Sequence, residues 1–156
     1  MSRPNVFAGE PWDMTADKMQ IRSRFVGKAV GAKELGASVH ELLPGSTGFH
    51  LHAHYGMEEL FVVLSGQPTL RTSDGESPLE PGDVVSCLRG REGMHTFTNP
   101  TEEPARVLAI STMPVPEVVL YPELGKFAVA TRSPFEPVPE GGDAGVVGTF
   151  DLPSDK

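Results

Sequence analysis

Between His50 and Glu59 the chain reads His50-Leu-His52-Ala-His54-Tyr-Gly-Met-Glu58-Glu59. Three of its five histidines alternate here, and a carboxylate pair follows. Alternate residues of a strand project from one face, about 6–7 Å apart, so two imidazoles in this spacing can converge on one metal ion. A carboxylate on the neighbouring strand can add a third donor. His95, in Gly93-Met-His95-Thr-Phe-Thr-Asn99, can close the site. Neutral imidazoles with a carboxylate suit one divalent transition metal: Zn, Fe, Mn, Ni or Cu.

Such a set needs strands to carry it. Short strands are expected at 18–31, 36–43, 58–65, 68–72, 84–88, 94–99, 105–112, 118–121 and 127–131, with one helical turn near 15–19. Pro44-Gly45, Ser73-Asp74-Gly75 and Glu80-Pro81-Gly82-Asp83 are turn signals between them. Fifteen prolines and 17 glycines fit many short strands joined by turns, and no helix of ten or more residues is expected. The organisation expected is an N-terminal arm at 1–17, a β-barrel at 18–131 and an acidic, Pro/Gly-rich, loosely wrapped tail at 132–156. Glu59, Phe61 and Val63 share one strand face, and Leu60, Val62 and Leu64 share the other. Both faces carry apolar groups, so the outer one needs a cover, from the N-terminal segment or a second subunit; a homodimer is expected.

A net charge of -8 and the absence of a basic stripe argue against a nucleic-acid partner. The single cysteine, Cys87, rules out a disulfide framework and fits a reducing compartment. No apolar run reaches the length of a membrane span, and the first residues lack the apolar core of a secretory leader. A cytoplasmic protein with no membrane partner is expected.

The motifs resemble those of the cupin superfamily, and the flanking segments resemble its small bacterial single-domain members. The first cupin motif runs Gly, His-x-His, Glu, Gly; here His52-Ala-His54, four residues, Glu59, six residues and Gly66 match it, with Gly45 one place early. The second is matched by Gly82, His95 and Asn99, with Leu88-Arg-Gly90 in place of Pro-x-Gly and four residues before His95. The resemblance implies an all-β fold, the double-stranded β-helix or jelly-roll barrel. It also implies a metal held by His52, His54, Glu59 and His95. Glu58 competes with Glu59, but the spacing to Gly66 selects Glu59, and alternation then turns Glu58 to the opposite face.

Around this set, His50 is a candidate base on the same strand face, or a partly solvated residue at the strand entrance. Phe61 and Phe97 pack beside the metal and can meet a small-molecule ligand. Arg89 and Arg91 sit in the loop before His95 and are candidate anion binders. His40 is expected at the surface or an edge, Cys87 as a buried inert thiol, and Glu102, Glu103 and Glu117 as ordinary loop or surface charges. The functional expectation is a metal-dependent enzyme on a small polar metabolite. Its chemistry is of oxygenase type or of isomerase/lyase type, as in the sugar-phosphate isomerases of this superfamily. The alternative is a non-catalytic small-molecule or sugar-binding module.

Overall fold

The computed structural model describes residues 3–132 and 146–153. The chain runs through β1 (Met14–Ala16), β2 (Ile21–Arg24), a short helix α1 (Val26–Ala29), β3 (Leu35–Leu42), β4 (Ala53–His54) and β5 (Glu59–Ser65). It continues through β6 (Thr69–Thr72), β7 (Gly75–Pro78), β8 (Val84–Cys87) and β9 (His95–Thr98). β10 (Ala105–Thr112), β11 (Glu117–Tyr121), β12 (Lys126–Ala130) and β13 (Val146–Asp151) complete it. The fold is mostly β and cupin-like. The strands pair in three sheets, ordered β1-β2-β3-β10-β5-β8, β13-β12-β11-β4 and β7-β6-β9. Among the described residues no sheet closes on itself.

The alternation of β5 sets the layers. Phe61 and Val63 are buried and pair with Ala109 and Val107 of β10; Phe61, Ala109 and Val107 form the main core with Ile21, Leu42, Cys87, Phe97 and Ala105. β5 ends at Gly66, whose backbone has φ +74°; a Cβ there would lie 2.6 Å from Ala105 Cα, so β5 and β10 meet only around a glycine. Ser73-Asp74 makes the two-residue turn between β6 and β7, with Thr72 opposite Gly75.

Two expectations fail. The stretch 18–31 is not one strand: it holds a 3-10 turn (Asp17–Met19), β2 and α1. Pairing with β3 stops at Arg24, so the backbone beyond satisfies itself, Ala29 N–H donating to Phe25 and Val30 N–H to Val26. The C-terminal segment is not loose throughout: β13 pairs with β12, Phe150 stacks on Phe127 at 5.2 Å, and Lys126 Nζ meets Asp151 Oδ1 at 2.6 Å. Residues 133–145 and 154–156 of that segment lie outside the described residues.

The outer face of the large sheet is partly covered by the N-terminal arm. Arg24 donates to the Ala8 and Gly9 carbonyls, Arg106 donates to the Phe7 carbonyl, and Arg106 also pairs with Glu41. Leu60 and Val84, diagonal neighbours on the outer face of β5 and β8, stay 39% and 62% exposed.

Candidate metal centre

Three sheets meet where the histidines lie. His54 ends β4, paired with β11; Glu59 opens β5; His95 opens β9. His52 stands just before β4 and exchanges both backbone hydrogen bonds with His95, at 3.1 and 2.9 Å. That bridge ties the four-stranded sheet to the three-stranded one and brings two remote motif residues together.

The side chains converge. His52, His54 and Glu59 each present a donor atom within 4.8 Å of the others, a set able to coordinate a metal ion. Glu59 Oε2 lies 3.5 Å from His54 Nε2 and 3.3 Å from His95 Nε2. The His52 ring lies 4.6 Å from that of His95 and 4.9 Å from that of His54, centroid to centroid. Glu58 is exposed and turned away.

Ring nitrogens decide whether such a cluster fits a metal. His52 Nδ1 is 2.8 Å from the His50 carbonyl, and His95 Nδ1 is 2.8 Å from the Gly93 carbonyl. A carbonyl only accepts, so both rings carry hydrogen at Nδ1 and turn Nε2 to the cluster. His54 likewise turns Nε2 toward Glu59, while its Nδ1 faces Glu117 Oε1 at 3.5 Å. Glu59 Oε2 is buried without a hydrogen bond. An unpaired buried carboxylate oxygen ringed by imidazole nitrogens is costly. A divalent cation satisfies all of these atoms at once, so the donor set fits a metal.

The charge balance points the same way. Burial works to raise Glu59, but the imidazoles of His95, His54 and His52 hold its carboxyl below the usual range. Burial, with His95 and His54 nearby, pushes His52 down to about 4. At His95 burial opposes the charged ring, yet Cys87 and Glu59 outweigh it and raise the ring to about 10.

The cluster lies in the wall of a cavity of about 440 Å³. Phe61 and Phe97 line it, their rings 4.7 Å apart, with Phe61 5.0 Å from the His95 ring. His50 is exposed at the cavity wall, in irregular backbone before β4 rather than on the strand. Arg89 and Arg91 are exposed and are not among the lining residues of this cavity; Arg91, in a 3-10 turn (Arg91–Gly93), borders a separate depression with Leu51, Met94 and Pro122. Cys87 is buried in the core beside His95.

Two residues expected at the surface are not there. His40, on the inward face of β3, lines the cavity; its Nδ1 meets Ser23 Oγ at 2.8 Å and its ring packs edge-on against Phe49. Burial pushes it down to about 4, against the pull of Glu59. Its place was legible: His40 alternates with the inward Leu42. Glu117 is 1% exposed and sits behind His54. No local pattern announces it, because its neighbours come from a strand some sixty positions earlier.

A family model described as a cupin domain matches residues 38–111, the span that holds every member of the cluster. The chain carries a cupin domain. Its structure resembles that of a sugar phosphate isomerase of the cupin superfamily from Silicibacter pomeroyi DSS-3, at 24% identity and TM-score 0.73, over 85% of this chain and 76% of that one. It also resembles a protein from Acidithiobacillus ferrooxidans ATCC 23270 described as a candidate sugar phosphate isomerase, at 26% identity and TM-score 0.70, over 84% and 76%. The polyketide cyclase RemF from Streptomyces resistomycificus shares the fold at 22% identity and TM-score 0.53, over 60% of this cupin chain and 65% of that one. No curated relative matches the chain.

Proposed function

We propose that this cupin is a metal-dependent enzyme of isomerase or lyase type, acting on a small carbonyl-bearing metabolite in the cavity. One observation carries the reading: three imidazoles turn Nε2 toward a buried, unpaired carboxylate oxygen. His52, His54, Glu59 and His95 would hold Zn, Fe, Mn or Ni. When bound, such an ion supplies a Lewis acid for a substrate oxygen. The chain's own residues do the rest. Phe61, Phe97 and Leu42 wall the cavity and exclude water. His40, whose Nδ1 is engaged by Ser23, has an Nε2 without a hydrogen-bond partner among the described residues. A neutral imidazole so placed can take a proton from a substrate carbon or oxygen and return it. It replaces His50 as the preferred base, because His50 is exposed. Isomerase-type chemistry is favoured over oxygenation by the 26% identical relative from Acidithiobacillus ferrooxidans. Lys126, on the cavity wall, is the cation that would meet an anionic group, in exchange for its partner Asp151.

The apolar majority of the wall favours a second reading, a module that binds a small molecule without turning it over. The same proposal takes residues 18–131 as a closed double-stranded β-helix barrel in a cytoplasmic homodimer, the partner covering Leu60 and Val84. Among the described residues no helix is long and apolar enough to cross a membrane.

The test is metal content of protein purified without chelator, followed by proton NMR in D2O with a panel of aldose and ketose phosphates and α-hydroxy ketones. The expected result is near-stoichiometric metal, lost in His52→Ala/His95→Ala, and exchange of a substrate proton α to the carbonyl. Metal with tight binding but no exchange supports the binding module. No metal in either protein overturns both the site and the chemistry.

A further inference from the structure

Each ligand histidine must keep its proton on Nδ1 if Nε2 is to bind a metal. His52 and His95 are held by backbone carbonyls. His54 has none; behind its Nδ1 stands a carboxylate. We propose that Glu117 is the positioning residue of this centre: its carboxylate takes the Nδ1–H of His54 and so keeps Nε2 free for the metal. This rests on the reading of the cluster as a metal site.

The carboxylate is built into place. Glu117 opens β11, and β11 pairs with β4 with Val119 opposite His54. Its Oε1 accepts from the backbone N–H of Tyr55 at 3.1 Å and of Gly56 at 3.2 Å, the two residues after His54. Gly56 leaves room for the other oxygen: a Cβ there would lie 2.5 Å from Glu117 Oε2. The facing atoms are complementary. His54 Nδ1 is buried without a hydrogen-bond partner among the described residues and lies 3.5 Å from Glu117 Oε1. An acceptor-only carboxylate facing Nδ1 is compatible with hydrogen on that nitrogen and repels its lone pair. The wrong tautomer, with hydrogen on Nε2, is therefore disfavoured before any ion arrives. A carboxylate behind a ligating histidine does this in many metal sites and raises ligand basicity.

A merely structural role, clamping the turn after His54, makes a different prediction. Glu117→Gln keeps a carbonyl oxygen at the Oε1 position for Tyr55, Gly56 and His54 Nδ1, but removes the negative charge that raises the basicity of the ring. The experiment compares Zn²⁺ affinity, by competition with a chromophoric chelator, and the visible spectrum of the Co²⁺-loaded protein, for wild type and Glu117→Gln, alongside their metal-free melting temperatures. The expected result is a loss of Zn²⁺ affinity of about 10- to 100-fold with a changed Co²⁺ spectrum. The metal-free melting point should stay near wild type. Unchanged affinity and spectrum overturn the proposal. Should the variant not fold, ¹⁵N NMR of histidine-labelled, Zn²⁺-loaded wild type decides: His54 bound through Nε2 with Nδ1–H retained supports it, and binding through Nδ1 overturns it. Wild type that binds neither ion sinks the metal-site reading itself, a failure distinct from equal affinity in the two proteins.

Discussion

His40 makes the stability of this cupin depend on pH in a calculable way. In the folded chain burial pushes the ring down to about 4, from an ordinary value of 6.5. The unfolded chain therefore binds a proton that the folded one refuses, throughout the interval between these values. Stability is complete above pH 6.5, falls as pH drops through the interval, and levels off below 4. Linkage puts the loss at about 2 kcal/mol by pH 5 and about 3 kcal/mol by pH 4. The perturbation is Ser23→Ala/His40→Phe, which removes the titrating ring and also the hydroxyl that would be stranded without it. Urea unfolding of both proteins at pH 7, 5 and 4, in the presence of a chelator, isolates the effect. His52 and the carboxylates of the cluster titrate in both, so their contributions cancel in the difference. Wild type should lose about 3 kcal/mol more than the double variant between pH 7 and pH 4. Parallel losses would mean that His40 is hydrated in the native state and is not a neutral cavity imidazole.

Metal loading should stabilise the fold: at free Zn²⁺ about a thousandfold above the dissociation constant, unfolding should cost about 4 kcal/mol more than in chelator, read by urea denaturation; equal midpoints would deny specific binding to the native state. Phe61→Ala removes a ring packed on both Phe97 and His95, and should cost about 3–5 kcal/mol and loosen the cluster, seen as a lower melting point and weaker Zn²⁺ binding. Gly66→Ala forces a Cβ against Ala105 at positive φ and should destabilise by at least about 1 kcal/mol in thermal unfolding, whatever the metal content. The proposed homodimer predicts that Leu60→Lys/Val84→Lys, on the exposed outer face of β5 and β8, lowers the sedimentation coefficient from that of a dimer to that of a monomer with little change in melting point; a monomeric wild type, or a coefficient the substitutions leave unchanged, would refute this interface.

Much of the centre is written locally in the chain. The alternation of His52 and His54 puts them on one face whatever else the fold does, because side chains of an extended backbone repeat every two residues. The same period separates Glu59 from Glu58. Turn chemistry works over equally short range, so Ser73-Asp74 marks the hairpin between β6 and β7 without any knowledge of the sheets. α1 is illegible for the complementary reason: Val26-Gly-Lys-Ala is too short to show a helical period, and only the lack of a partner beyond Arg24 leaves its backbone to bond within itself.

What the tertiary structure alone decided is which remote strands lie beside these. The pairing of β4 with β11 carries Glu117 behind His54, and the bridge from His52 to His95 sets the two motifs face to face. The same assembly leaves Arg89 and Arg91 outside the cavity and turns His40 into it. Register between distant strands is the outcome of burying a common apolar face, a sum over many side chains. No single spacing in the chain encodes it, so a carboxylate that reads as an ordinary surface charge becomes one of the most buried groups in the molecule.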